Sequence, residues 1–286
     1  MKIPQSCVLF FTLLALFSAA CKDDKDSTPT PAGAVCALTG EATTLSGNEK
    51  SWTYEYNVQG QITRINRFNV YGTLSHVGDI SDNIVKYATV PSSATQDVTQ
   101  GYEYGGGKLI DAKPTTVSVS ISIDNEISQD YMTLFFFYDA HGRLERVREQ
   151  TGHVNGDLEW DLHIYYNDQD NVTGLYYEIT TSPAGTGSTV SVEAYDNKPT
   201  PYAGIVNWKF LMNNFAWNNY DPEPILTALS KNNPLDYVLN EGNPAQYART
   251  MTYEYNENGY PTKRTNTNKN ASGEYTFTQT FIYECP

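Results

Sequence analysis

The chain is short of cations. Its 19 Lys and Arg stand against 33 Asp and Glu, a formal charge of −14 over 286 residues. So acidic a body has no footprint for nucleic acid and is repelled by anionic lipid head groups. Histidine is scarce as well: His76, His141, His153 and His163 are scattered, and no pair has zinc-ligand spacing. No serine or cysteine sits in a nucleophile-elbow motif. The residues therefore supply no catalytic set, no metal site and no cofactor site. The apolar run Val8 to Phe17 is too short to span a bilayer as a helix.

Tyrosine is plentiful, 22 residues in all, and with many Thr, Ser and Asn it fits long half-buried strands. Much of it falls in a repeat. Tyr54-Glu-Tyr-Asn-Val-Gln-Gly-Gln-Ile-Thr-Arg64 returns as Phe136-Phe-Tyr-Asp-Ala-His-Gly-Arg-Leu-Glu-Arg146 and as Tyr253-Glu-Tyr-Asn-Glu-Asn-Gly-Tyr-Pro-Thr-Lys263. Looser copies are Tyr102 to Leu109 and Ile164 to Gly174. Each reads as a hairpin: Asn or Asp opens a type I turn, and Gly at the fourth position takes φ > 0. Counting back from the turn pairs Tyr56 with Ile62 and Tyr54 with Arg64, and likewise Tyr138 with Leu144 and Phe136 with Arg146. Pro261 stands where the other copies carry an aliphatic residue, which predicts a local edge or bulge there. Two strands alone are marginal, so the copies should join into one sheet.

Between the hairpins the period changes. Ile205, Trp208, Leu211, Met212 and Phe215 recur at helical spacing. Asp221-Pro-Glu-Pro opens a second short helix, Ile225 to Leu229, with Asp221 as its N-cap. The expected fold is all-β: an antiparallel, strongly twisted meander of consecutive hairpins over residues 36–286, with a helical insertion near 204–229 and closure into a barrel left open.

Residues 1–20 form an export signal, with Lys2 as its positive end and Ser18-Ala19-Ala20 before Cys21. The small residues before cysteine resemble the lipobox of bacterial lipoproteins, which makes Cys21 the lipidated first residue and the lipid the membrane contact. Lys22-Asp-Asp-Lys-Asp26 resembles the surface-export signal of Bacteroidota lipoproteins, and Ser27 to Ala34 reads as an extended linker, so that 21–35 is a tether. Cys36 and Cys285 remain at the two ends of the folded region of an exported chain. They are expected to pair as a disulfide that brings the first and last strands together, the alternative being two separately buried thiols.

The hairpins resemble the YD, or RHS-type, repeat. Together with the lipoprotein start and Tyr195-Asp-Asn-Lys-Pro-Thr-Pro-Tyr202 ahead of a helix, they resemble a family of Bacteroidota lipoproteins of unknown function with a porin-like fold. That resemblance implies a meander or barrel-like sheet on an outer-membrane, surface-facing lipoprotein, and no catalytic residues. A membrane pore is not implied, because the outward strand faces lack a continuous apolar band.

Asn167-Asp-Gln-Asp-Asn171 with Glu178 at the twelfth position has the look of a calcium loop, but Val172 replaces the required glycine and turn chemistry explains the segment better. The acids Glu145, Glu149, Asp157, Glu159 and Asp161 could supply a glycosidase pair, or simply alternate along a solvated face. Trp217 and Tyr220 are the residues to examine for a ligand-stacking platform. The leading expectation is a non-enzymatic binding or scaffold module, its ligand a glycan or an envelope protein. A hydrolase using a carboxylate pair is the alternative.

Overall fold

The strands are β1 (Ala37–Leu45), β2 (Asn48–Tyr56), β3 (Ile62–Phe68), β4 (Leu74–Ser81), β5 (Ile84–Thr89) and β6 (Val98–Gly105). They continue as β7 (Thr116–Ile123), β8 (Glu126–Tyr138), β9 (Leu144–Gln150), β10 (Glu159–Tyr166), β11 (Val172–Ile179) and β12 (Gly187–Ser191). An excursion follows, with β13 (Tyr195–Pro199), helix α1 (Glu223–Leu229) and β14 (Asn232–Pro234). The wall then resumes as β15 (Asp236–Leu239), β16 (Tyr247–Tyr255), β17 (Pro261–Asn270) and β18 (Gly273–Glu284). The structure is a computed structural model that describes residues 36–57, 62–68, 74–81, 84–89, 98–105, 114–123, 126–150, 159–180, 187–203, 205, 222–240 and 246–285.

The turn chemistry is as expected. The side-chain oxygen of Asp139 accepts the N–H of His141 and Arg143 at 2.9 and 2.8 Å, and Asn167 and Asn256 do the same for Gln169 and Asn171, and for Asn258 and Tyr260. The fourth position is left-handed at Gly142 (φ 77°) and Gly259 (φ 83°), and Asp170 takes it at φ 62° in the looser copy. Asn167 to Asn171 is therefore a turn, and Glu178 lies within β11.

Register departs from simple counting. Tyr56↔Ile62 and Tyr138↔Leu144 pair as expected, but Tyr54 faces Ile65 and Phe136 faces Val147. A bulge beside the turn inserts one residue in the return strand, and the β10–β11 and β16–β17 hairpins carry the same bulge. Where that extra residue is threonine its hydroxyl bonds back to the partner strand: Thr63 to Glu55 O at 3.3 Å, Thr173 to Tyr165 O at 3.4 Å and Thr262 to Glu254 O at 3.2 Å. The slip turns the basic residue of the motif outward, so Arg146 lies 3.9 Å over the Phe137 ring and Lys263 pairs with Glu254 at 2.7 Å. Pro261 fulfils its expectation: it pairs only within its own hairpin, and the β17–β18 ladder begins at Lys263. The Tyr102 copy returns differently from the sequence reading, because β6 pairs with β7 from Gly105↔Thr116 onward.

Neighbour pairs with neighbour through β12. β12 then joins β15 across the excursion by only Val190↔Leu239 and Ser191↔Val238, and β1 pairs with both β2 and β18. The ring β1–β12 plus β15–β18 is a closed barrel of sixteen described strands, a number whose lumen is wide enough for water. Alternation sorts its faces. On β17 Arg264, Asn266 and Asn268 are buried inward while Thr265, Thr267 and Lys269 face out, and on β18 Phe281 is buried while Thr276 and Thr280 are exposed. The inner face carries the apolar core, including Leu38, Ile62, Leu144, Val147, Leu162 and Val172.

Strand direction places the Asn/Asp turns, the start of β1, the end of β18 and the described parts of the excursion between β12 and β15 at one end of the barrel. There Cys36 and Cys285 form a disulfide across 249 residues of chain. In the excursion, β13 and β14 pair as a short ribbon. Helix α1 begins after Pro222, which has no side-chain cap, rather than after an Asp221 N-cap. The helical stripe expected over 205–215 falls, apart from Ile205, outside the described residues.

Candidate functional site

The second aromatic of each motif ties the turn end together. The Tyr56, Tyr138 and Tyr166 hydroxyls donate to the carbonyls of Leu38, Pro114 and Leu144, at 2.6, 2.6 and 2.9 Å, each on an earlier stretch of wall. In the third copy that neighbour is the excursion, and Tyr255 donates instead to the Asp196 carboxylate. Asp196 also accepts the Asn233 backbone and side-chain amides at 3.1 and 3.0 Å, and the Lys198 N–H at 2.9 Å. The Asp-Asn-Lys-Pro segment is thus a knot that pins β13 to β14 and to the wall.

Deeper, polar side chains fix the excursion to the inner wall. Glu223 of α1 pairs with Arg264 of β17, both buried, and accepts the Thr227 hydroxyl at 2.5 Å. Arg264 also donates to Gln279 of β18. Burial alone would raise the Glu223 carboxyl, but the adjoining guanidinium overrides it and holds the group below the usual carboxylate range. Burial would likewise depress Arg264, and Glu223 reverses it. On β1 the buried Glu41 accepts the Tyr202 hydroxyl at 2.7 Å, and there desolvation wins and raises its pKa. These carboxylates differ in protonation tendency, as an acid and a base would, yet both are sealed at 7% exposure.

Open concavity lies beside the excursion instead. A groove of about 360 Å³ is lined by Thr200, Tyr202, Ile205, Leu229, Lys231 and Asp170 among others. A smaller one of about 160 Å³ shares Asp170 and Leu229 with it and is bounded by Arg143 and Tyr166. Arg143 lies 4.6 Å over the Tyr166 ring and donates to Asp170 at 3.0 Å. Trp217 and Tyr220, the ligand residues expected from sequence, lie outside the described residues, as does Asp157.

Of the described carboxylates of the hydrolase reading, Glu149 and Asp161 lie on opposite faces of the wall. Glu145 is exposed beside the turn, while Glu149 points inward and accepts the Trp160 Nε1–H at 2.5 Å. Asp161 points outward, on the opposite face from Glu149, and is gripped by Arg148 through two bonds of 2.8 and 2.7 Å. Burial would raise Asp161, but Arg148 holds it low.

Among the described residues Glu149 has no such cation. Burial pushes its carboxyl from 4.5 up to about 7, and the indole bond offsets only part of this. A carboxyl raised on folding favours the folded state when protonated, so stability is present below about pH 4.5 and is lost as pH rises through about 7. Glu149→Gln should remove that loss. The stability gap between variant and wild type, from urea midpoints, should widen from about pH 4.5 to about pH 7.5 by up to about 3 kcal/mol. Parallel profiles would refute the assignment.

One grouping escaped the sequence. Asp161 and His163 share the outer face of β10, and Glu178 stands opposite Asp161 on β11, with ligand atoms within 4.8 Å of one another. Strand alternation plus the register of this hairpin would have found it. Motif spacing could not, because the residues come from two strands.

No family model and no curated protein matches the sequence. The chain is similar to a porin-like protein from Bacteroides uniformis, with a TM-score of 0.53 and 13% identity over 88% of this chain and 99% of that one. A porin-like protein from Bacteroides vulgatus matches at 12% identity over 86% of this chain and 98% of that one, with a TM-score of 0.36, too low to argue from. At such identity the first likeness shows a shared fold alone.

Proposed function

We propose that the chain is an outer-membrane lipoprotein, anchored through Cys21 and facing the exterior, that presents its barrel as a non-enzymatic binding or scaffold module for a glycan or an envelope protein. The observation that carries this reading is the division of polarity. Outward positions such as Thr250, Thr252, Glu254, Thr276 and Thr280 are exposed and polar, so this wall is suited to water rather than lipid. Inside, the chain's own excursion is bonded to the wall at Glu41 and Arg264, which suits a display scaffold better than a conduit. The ligand would engage the groove between Lys231, Asp170 and Thr200, where polar groups meet open concavity.

The hydrolase alternative needs two carboxylates opening into one cleft. Among the described residues Glu41, Glu149, Asp161 and Glu223 are each buried and engaged, which favours the binding module. Detergent-solubilised full-length protein should retain members of one class on a glycan array, or be crosslinked to one envelope protein in cells, and should give no conductance in planar bilayers. Lys231→Ala should weaken the captured ligand. Discrete channel openings, or cleavage of the arrayed glycans, would overturn the reading.

A further inference from the structure

We propose that Asp161, His163 and Glu178 form a divalent transition-metal site on the outer wall of the barrel, taking Zn2+. Residues two apart on a strand point to the same side, and an antiparallel partner places a third side chain directly opposite. Here that puts Asp161 and His163 on β10 beside Glu178 on β11. The His163 Nε2 lies 3.5 Å from a Glu178 oxygen, close to the separation of two ligands on one ion, and all three donor atoms fall within 4.8 Å of one another. Binding an ion would draw these donors closer together, by side-chain rotation at the two partly exposed positions, His163 and Glu178.

Its surroundings suit a preorganised site. Asp161 is only 4% exposed and its orientation is set by the Arg148 fork, in the way that a hydrogen-bonding partner fixes a ligating carboxylate. Tyr176 stacks on the His163 ring with centroids 6.0 Å apart. Gly187 permits that placement, since a Cβ there would stand 2.9 Å from the Tyr176 ring. His163 and Glu178 remain 31% and 38% exposed, so an ion reaches them from solvent. One imidazole and two carboxylates make three protein ligands and leave a fourth position for water, the ligand count of an open zinc site. The imidazole selects against Ca2+ and Mg2+, which prefer oxygen alone. The charges of Arg148 and, at 3.9 Å, Arg146 oppose the ion, so affinity falls below that of a closed structural site.

The test is calorimetric titration of metal-stripped full-length protein with Zn2+. The expected result is one site per chain, with affinity falling at least tenfold in His163→Ala and in Glu178→Gln, and Ca2+ binding at least tenfold more weakly than Zn2+. Co2+ in place of Zn2+ should give a visible absorption band that His163→Ala abolishes. Both variants are at surface positions, and unchanged melting confirms that they are folded. Glu254→Gln, an exposed acid outside the site, should leave the titration unchanged. A Zn2+ step that survives His163→Ala, or is reduced equally by Glu254→Gln, would show only loose binding to an acidic surface and overturn the proposal. So would the absence of any step.

Discussion

Arg264→Leu is expected to destabilise the fold by about 3–5 kcal/mol, because it strands the Glu223 carboxylate in the interior. Arg264 is 1% exposed and Glu223 7%, so water cannot replace the lost guanidinium. The decisive comparison is the double variant Glu223→Leu with Arg264→Leu. Removing both charges removes the penalty, and much of the loss should return, leaving a coupling of about 2 kcal/mol or more between the sites. Additive losses would mean that the pair is not what fixes α1 to the wall.

The pH profile supplies an independent check. In the wild type the Glu223 pKa is lowered on folding, so its stabilisation is present above the unfolded value near 4.5 and is lost as pH falls through the lower folded value. In Arg264→Leu burial is opposed only by the Arg249 charge and the Thr227 hydroxyl, both weaker than the Arg264 guanidinium in lowering the carboxyl, so the sign should reverse and that variant should gain stability as pH falls towards 5. Urea unfolding at several pH values reads both effects.

Loss of the Cys36–Cys285 disulfide is the other large effect. Closing a loop of 249 residues is worth about 5 kcal/mol by chain entropy, and measured values commonly run at about 2–4 kcal/mol. Cys36→Ala with Cys285→Ala should therefore lower the unfolding free energy read from urea denaturation by about 2–4 kcal/mol. The bond sits where β1 meets β18, the pairing that closes the ring, so amide exchange in β1 should quicken more than in β10 or β11. Reduction of the wild type should reproduce the shift, and a loss below about 1 kcal/mol, with β1 exchange unchanged, would refute the clasp.

Both variants act at positions that the sequence marks unequally. Cys36 and Cys285 were legible as a candidate pair because they stand at the two ends of the folded residues. Arg264 was invisible: counting from the turn sets the basic residue of the motif opposite the first tyrosine, and the bulge moves it. In this copy Lys263 turns outward to Glu254, and the next residue, Arg264, turns inward to Glu223. The same one-residue slip decides that Glu149 faces Trp160 inside while Asp161 faces Arg148 outside.

The sequence by itself determined the hairpins, their turns, the edge at Pro261 and the all-β class, because Asx-turn hydrogen bonds, left-handed glycine and strand alternation act over a few residues. Only the tertiary structure decided the rest. Closure depends on β1 meeting β18 some 240 residues apart. The buried Glu223–Arg264 pair joins a helix to a strand that no local pattern links. The face of each acid is set by bulges that shift register by one, and a shift of one reverses inside and outside for every residue beyond it.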